Sequence, residues 1–248
     1  RYRKLVLAQR AAAKSVLPAI SLIDMGRMKA TGGLAPPLIA ALRERLARGE
    51  QSLLFLNRRG YAPVVHCDAC GWISNCQRCT AFMVLHKPER RLRCHHCSLE
   101  LGIPSSCPTC GNVDIQPLGR GTQRIEEYLH TLFPAARVLR IDADSTRKKG
   151  SAQAAFETVH RGEVDILLGT QMVAKGHDFQ RLTLVGVINP DTALFSQDYR
   201  AGERLFAQLM QVAGRAGRAA DTGKLSQSEV MIQTRYAQHP LYRALLTH

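Results

Sequence analysis

The residues best suited to chemistry are eight cysteines, and all of them lie between positions 67 and 110. They form four C-x-x-C pairs: Cys67/Cys70, Cys76/Cys79, Cys94/Cys97 and Cys107/Cys110. A C-x-x-C turn directs two thiolates at one point, and two such turns complete a tetrahedral Zn²⁺ site. We therefore expect two Zn²⁺ ions, both structural, because four thiolates leave no position for a catalytic water. A disulfide scaffold is the alternative, but no secretory signal is visible.

The four pairs can share their metals in a nested or a sequential order. The first and fourth pairs are each followed by Gly, which suits the left-handed turn of a zinc knuckle, whereas the second and third are followed by Thr80 and Ser98. This likeness favours nesting, with site 1 formed by Cys67, Cys70, Cys107 and Cys110 and site 2 formed by Cys76, Cys79, Cys94 and Cys97. With eight thiols present, we expect the neighbouring histidines to be spectators: His66, His86, His95 and His96.

A second candidate lies in the stretch QVAGRAGR near the C-terminal end of the sequence. Gln211, Arg215 and Arg218 stand at i, i+4 and i+7, so they share one face of a helix. Gly214 and Gly217 each lower helix propensity by roughly 1 kcal/mol, which suggests close approach of a ligand or a second domain. Arginine forks bind phosphate and stabilise charge on a transferred phosphoryl group. An exposed basic helix end would explain the arginines but not both glycines.

The partner that such arginines need is absent from this sequence. The phosphate-cradling motif G-x-x-x-x-G-K-[ST] does not occur, and there is no D-E-x-H or D-E-x-D box to hold Mg²⁺. The residues alone therefore describe half of an ATPase. We expect this chain by itself to hydrolyse no ATP.

Composition limits the partners. The net charge is +14, from 34 Lys+Arg against 20 Asp+Glu, and nucleic acid is the commonest partner of so basic a protein. A solubility bias without a partner is the alternative. No apolar run approaches the length of a membrane span. Since position 1 is Arg and no signal-peptide pattern follows it, we expect a piece of a longer intracellular protein.

Outside the cysteine region the chain alternates between strand and helix patterns. We expect helices over 36–49, 122–133, 151–162, 201–214 and 240–246, and strands over 52–57, 137–141, 164–169, 182–188 and 229–234. This βαβα order predicts an α/β domain of three layers with a mostly parallel sheet, and its ligands should lie at the carboxyl ends of the strands.

The predicted organisation has three parts. Residues 1–35 are interpreted as the end of a preceding lobe and a linker. Residues 36–65 and 119–248 form the α/β lobe, and residues 66–118 form a zinc-binding insertion.

Several stretches resemble known motifs. LLFLNRRGYAP, GTQMVAKGHDF and QLMQVAGRAGR look like second-lobe motifs of superfamily 2 helicases. With four C-x-x-C pairs inserted after NRRGYAP, the chain is similar to the PriA family of replication restart helicases. The resemblance covers almost the whole chain. It implies a RecA-like second lobe with a zinc-ribbon-like insertion that binds two Zn²⁺, in an ATP-dependent 3′→5′ DNA helicase acting in replication restart and primosome assembly at stalled forks.

The same resemblance assigns site residues. The catalytic set matches motif VI and would reach ATP held by the first lobe: Gln211, Arg215 and Arg218. Further nucleotide contacts are implied for Gly176, Asp178 and Gly214. DNA contacts are implied for Asn57, Arg58 and Arg59 (motif IV), Thr170, Gln171, Lys175 and His177 (motif V), and Thr122, Gln123 and Arg124 (a further second-lobe segment).

By the same resemblance, ATP and Mg²⁺ are cofactors only together with a first lobe. The implied partners are branched and single-stranded DNA, primosome proteins and single-strand-binding protein, with no membrane, in the bacterial cytoplasm near the nucleoid. A second hypothesis is a non-catalytic zinc-ribbon module on an α/β scaffold that binds DNA or protein.

Overall fold

A six-stranded sheet organises the larger part of the chain. The computed structural model describes residues 18–57, 64–67, 69–86, 89–117, 121–142, 145–146, 150–174, 179, 181–194, 199–216 and 227–247. The strands of the sheet are β1 (Ala19–Asp24), β2 (Gln51–Leu56), β8 (Val138–Ile141), β9 (Ile166–Gly169), β10 (Leu182–Ile188) and β11 (Glu229–Thr234). They lie in the order β1-β11-β10-β2-β9-β8, and every neighbouring pair is parallel.

Six helices accompany this sheet: α1 (Pro36–Ala47), α2 (Gly121–Leu132), α3 (Ser151–His160), α4 (Gln171–Ala174), α5 (Ala201–Ala216) and α6 (Pro240–Leu246). A 3-10 turn spans Pro190–Ala193. The predicted elements outside the cysteine region are all present. None of the helices in the described ranges is long and apolar enough to cross a membrane.

The sheet is covered on both faces, because parallel strands joined by helical crossovers bury both sides. Alternate residues of β2 face opposite directions: Leu53 belongs to one apolar cluster and Leu54 to the other. One face packs against residues of α1 and α2, and the other against α3, α4, α5 and α6. The predicted α/β architecture of three layers is confirmed.

The insertion has its own small sheets. β3 (Val65–Cys67) pairs antiparallel with β7 (Ile115–Pro117). β4 (Met83–His86), β5 (Arg91–Cys94) and β6 (Glu100–Gly102) form a three-stranded antiparallel sheet. A compact apolar cluster includes Met83 and Leu92, with Trp72 packed against it.

The prediction that residues 1–35 end a preceding lobe and form a linker is wrong for Ala19–Asp24. These residues are β1, which pairs with β11 along its whole length. The following turn is also attached to β11, because the Gln233 amide accepts a hydrogen bond from Ala35 N (2.7 Å) and donates one to Gly33 O (2.9 Å). The pairing of β1 with β11 joins distant parts of the chain, since Ser21 and Val230 are separated by 209 positions.

The chain divides into two compact units, Arg1–Asn57 with Ile125–His248 and Arg58–Arg124. The second unit contains the cysteine pairs and starts and ends a few residues away from the predicted insertion 66–118.

A buried ion pair closes the amino edge of the large sheet. Arg45 near the end of α1 is 5% exposed, and Glu50 just before β2 is 2% exposed. Arg45 Nε lies 3.6 Å from Glu50 Oε2, and Arg45 Nη2 lies 3.5 Å from Glu229 Oε2. The Thr183 hydroxyl donates a 2.6 Å hydrogen bond to Glu50 Oε2. Because these residues precede or begin three strands, the pair joins their amino ends.

Candidate zinc centres and motor site

Site 1 is built where β3 and β7 meet. Cys67 ends β3, and its Sγ lies 3.6 Å from that of Cys110; Cys70 Sγ lies 3.5 Å from that of Cys107. Each turn is closed by a glycine in the left-handed region, Gly71 at φ 76° and Gly111 at φ 74°. Both glycine N–H groups donate to the carbonyl of the first cysteine of their pair, at 2.9 Å.

Site 2 lies beside the three-stranded sheet: Cys94 ends β5, and all four cysteines belong to the apolar cluster or pack against it. Cys76 Sγ is 3.4 Å from that of Cys97, and Cys79 Sγ is 3.5 Å from that of Cys94. The turn after Cys94 needs no glycine, since Ser98 adopts the left-handed conformation at φ 58° and donates its N–H to Cys94 O at 2.9 Å.

The two groups have the nested composition favoured by the sequence. In each group the four sulfur atoms lie within 4.8 Å of one another. A Zn–S bond of about 2.3 Å in a tetrahedron separates neighbouring sulfurs by about 3.8 Å, close to the observed pairs. The four-cysteine clusters therefore fit two structural zinc ions, and among the described residues no histidine belongs to either cluster.

Backbone N–H groups favour thiolate at no fewer than one cysteine of each cluster, whereas at Cys70 and Cys79 a backbone N–H is outweighed by burial and by the neighbouring sulfurs, which raise the pKa to about 12. Burial raises the pKa of Cys76, but the Arg78 N–H donates to its sulfur at 3.4 Å and the net pKa is lowered to about 6. Burial acts in the same way on Cys107, and the N–H groups of Cys110 and Thr109 bring its pKa to about 6. Deprotonated sulfur is the form that binds zinc.

The carboxyl edge of the large sheet contains three of the predicted DNA-contact residues. Asn57 follows β2, and Thr170 and Gln171 follow β9, which is paired with β2. The Asn57 Nδ2 atom is buried and has no hydrogen-bond partner in the described ranges. Thr170 is 8% exposed, and its N–H donates to Ile141 O at 3.4 Å. Thr170 is therefore buried, whereas the Asn57 and Gln171 side chains are half-buried.

Arg215 connects the predicted motif VI helix to the predicted motif V segment. Its Nε donates a 3.2 Å hydrogen bond to the carbonyl of Ala174, the last residue of α4. Gln211 and Gly214 lie on the exposed side of α5. Among the described residues, a Cβ built on Gly214 would meet no atom within 4 Å, so this part of the structure leaves space beside the helix there.

The remaining predicted residues are divided between α2 and positions outside the described ranges. In the first turn of α2, Thr122 is buried while Gln123 and Arg124 are exposed. Seven predicted residues lie outside the described part of the chain: Arg58, Arg59, Lys175, Gly176, His177, Asp178 and Arg218.

One polar centre at the carboxyl edge joins Asp191, in the loop after β10, to groups from two later parts of the chain. Asp191 accepts hydrogen bonds from the hydroxyls of Thr234 (2.5 Å) and Tyr242 (2.7 Å) and from Arg235 N (2.8 Å). Burial, followed by the charge of Asp191, raises the pKa of Tyr242 above its usual range. The stretch NPD (189–191) follows a predicted strand, as a polar loop at this edge should, but no local pattern identifies Tyr242 in the last helix as its partner. This centre fixes the loop after β10 to α6.

Comparison with known proteins matches both units. A family profile described as the PriA DNA helicase Cys-rich region (CRR) domain matches residues 76–100, and one described as the helicase conserved C-terminal domain matches residues 118–220. Replication restart protein PriA of Haemophilus influenzae is 46% identical over 248 residues, which are 100% of this chain and 33% of the relative. The chain belongs to the PriA family.

Other PriA-family members agree. The protein of the same name from Bacillus subtilis is 42% identical over 94% of this chain and 29% of its own length, and that of Treponema pallidum is 41% identical over 96% and 35%. The chain spans about a third of the length of the curated relatives it matches. A solved structure of RecG bound to a three-way DNA junction aligns with a TM-score of 0.46 at 14% identity, covering 98% of this chain and 20% of that one.

These findings confirm the predicted family and fold. The chain contains the conserved C-terminal helicase domain of a PriA-family protein, built on a parallel α/β sheet, with a zinc-ribbon-like insertion.

Proposed function

We propose that the chain provides the second motor lobe and the zinc module of an ATP-dependent 3′→5′ DNA helicase for replication restart and primosome assembly at stalled forks. The observation that carries this proposal is the hydrogen bond from Arg215 to Ala174 O, in a chain similar to PriA over its whole length. The bond joins the residue expected to sense nucleotide to the segment expected to contact DNA.

The hydrogen bond from Arg215 to Ala174 suggests how nucleotide sensing and DNA contact are coupled. Arg215 and the motif V helix α4 move together, because the arginine is fixed to the end of that short helix. Since Gln171 begins α4 and Asn57 follows the neighbouring strand β2, a displacement of Arg215 towards a first lobe would shift DNA contacts at the carboxyl edge. The +14 net charge supports an attraction to the DNA backbone.

A first lobe would approach along the open side of α5. Gln211 and Gly214 are exposed on this side, and the missing side chain of Gly214 leaves room for another backbone or a ligand. ATP with Mg²⁺ would supply the phosphoryl group, while Arg215 and Arg218 would stabilise the charge that develops on it.

The test supplies the chain with a first lobe, fused or in trans, and measures DNA-stimulated ATP turnover. Arg215→Ala and Arg218→Ala should each lower turnover by about 10³-fold. Arg243→Ala is the matched control, since this exposed arginine lies on α6 and is bonded to Gln238. The chain alone should show no turnover.

A non-catalytic zinc-ribbon module that binds DNA or protein is the second candidate, and the two ordered four-cysteine clusters favour it. Unchanged turnover in both arginine variants would leave only this function.

We also propose, from the family, DNA forks and single strands, primosome proteins and single-strand-binding protein as partners, in the bacterial cytoplasm at the nucleoid. The proposed domain limits are those of the two compact units, with the zinc module within 58–124.

A further inference from the structure

Two histidine rings face each other outside the four-cysteine clusters. His86 ends β4, and His95 follows the last residue of β5. Their Nε2 atoms are 3.0 Å apart, with ring centroids separated by 5.3 Å. Two ring nitrogens at this distance either share one proton or present two lone pairs to a common cation.

The distance between the two nitrogens lies nearer the value for a tetragonal metal centre than the value for a tetrahedral one. With metal–nitrogen bonds of about 2.0–2.1 Å, two ligands at a right angle are about 2.9 Å apart, whereas a tetrahedral angle separates them by about 3.4 Å. The observed 3.0 Å is closer to the right angle. Square-planar or tetragonal nitrogen coordination is characteristic of Cu²⁺ and Ni²⁺, not of Zn²⁺.

A carboxylate lies on the other side of one ring. Glu89 Oε2 is 3.9 Å from His86 Nδ1. A carboxylate near the second ring nitrogen favours the tautomer with the proton on Nδ1, which leaves the Nε2 lone pair directed at a metal. Arg91 is paired with His86 in the sheet, and its positive charge would repel a bound cation. This charge is partly neutralised by Glu100, whose carboxylate lies 3.5 Å from the Arg91 guanidinium.

Both histidines are positioned by backbone that forms without a third metal: the β4–β5 pairing for His86 and the Cys94–Cys97 turn of site 2 for His95. His86 is paired with Arg91 across β4 and β5, and His95 follows Cys94, whose N–H donates to Leu99 O at 2.8 Å. The His86 side chain is 29% exposed and His95 is exposed. An ion can therefore reach the pair from solvent, and its other coordination positions would be filled by water.

We propose that His86 and His95 form a third metal site, separate from the two four-cysteine clusters, which takes a divalent ion of tetragonal preference such as Ni²⁺ or Cu²⁺. This site does not depend on the proposed motor function.

The experiment titrates the full chain, with both four-cysteine clusters filled by zinc, with Ni²⁺ in a calorimeter and measures zinc content in parallel. Ni²⁺ is the probe because it does not oxidise thiols as Cu²⁺ does. We expect one Ni²⁺ per chain, and at least about tenfold weaker binding in His86→Gln. His96→Gln is the matched control: it changes a neighbouring exposed histidine on the same knuckle and should leave Ni²⁺ affinity unchanged.

Zinc content decides whether the variants remain folded. It should stay at two per chain in wild type, His86→Gln and His96→Gln. Equal Ni²⁺ affinity in wild type and His86→Gln at constant zinc content would overturn the proposal, as would a loss in His96→Gln as large as that in His86→Gln. If His86→Gln loses zinc, His95→Gln replaces it, and unchanged Ni²⁺ affinity in that variant at constant zinc content would likewise refute the site.

Discussion

Replacement of Arg45 by alanine tests how the amino edge of the sheet is held. The side chain lies 3.6 Å from Glu50 and 3.5 Å from Glu229. Its removal would leave the Glu50 carboxylate, 2% exposed, without its buried cation. Breaking a buried pair by removing one partner costs about 3–5 kcal/mol, because an uncompensated charge remains in the interior.

The residue that follows α1 provides a matched control three positions away. Arg48 pairs with Glu44, and both side chains are about half exposed, at 49% and 51%. An exposed pair is worth about 0–1 kcal/mol, so Arg48→Ala should be nearly neutral. For a chain of this size each kcal/mol lowers Tm by about 2–4 °C, giving roughly 6–20 °C for Arg45→Ala and at most about 4 °C for Arg48→Ala.

Thermal and urea unfolding of zinc-loaded protein, followed by circular dichroism, measures the difference. The double variant Arg45→Ala/Glu50→Gln should recover part of the lost stability, since it leaves no buried charge at position 50. If Arg45→Ala and Arg48→Ala lower stability equally, or if the double variant is no more stable than Arg45→Ala, the penalty does not come from an orphaned carboxylate and the reasoning fails.

Three further outcomes are expected. A chelator should remove zinc from site 1 before site 2, because Cys70 and Cys110 of site 1 are exposed. The order of release is measured by the absorbance of a metal indicator and by mass spectrometry of alkylated cysteines. Alkylation of Cys79 or Cys97 before the site 1 cysteines would contradict the prediction. Gly186→Ala should lower the free energy of unfolding by about 1–3 kcal/mol, since the added Cβ would lie 2.7 Å from Leu54 and 2.8 Å from Leu38. Gly214→Ala is the control and should not destabilise the fold, because no described atom lies within 4 Å of its added Cβ. Equal urea midpoints for the two variants would contradict the prediction. Hydrogen bonds from the Arg137 side chain lower the pKa of Asp165. The pair therefore stabilises the fold above the unfolded carboxyl pKa of about 4, and this stabilisation is lost as the pH falls. Asp165→Asn should make stability depend less steeply on pH in the acid range, and an unchanged dependence would contradict the prediction.

Local sequence patterns were sufficient to predict most helices and strands of the α/β domain. The buried runs of β2 and β10 and the helical periods of α1 and α5 are properties of neighbouring residues, so they could be recognised without tertiary information. The C-x-x-C pairs were equally local, and the residues that follow each pair distinguished nested from sequential sharing.

Features that depend on distant residues were not predictable in this way. β1 forms a strand because it pairs in parallel with β11, and no pattern within residues 19–24 identifies that partner. Arg45 looked like a surface residue of an amphipathic helix, yet it is buried because Glu50 and Glu229 meet it. The hydrogen bond from Arg215 to Ala174 likewise depends on the packing of α5 against α4.

Nested metal sharing also sets an order of assembly. The shortest loop that each metal closes spans 15 positions in site 2, from Cys79 to Cys94, and 37 in site 1, from Cys70 to Cys107. The entropy lost on closing a loop grows with its length. Once site 2 has closed, only the short connections 71–75 and 98–106 separate it from site 1. The inner metal thus shortens the loop that the outer metal must close, so zinc should enter the folding chain from the inside outwards.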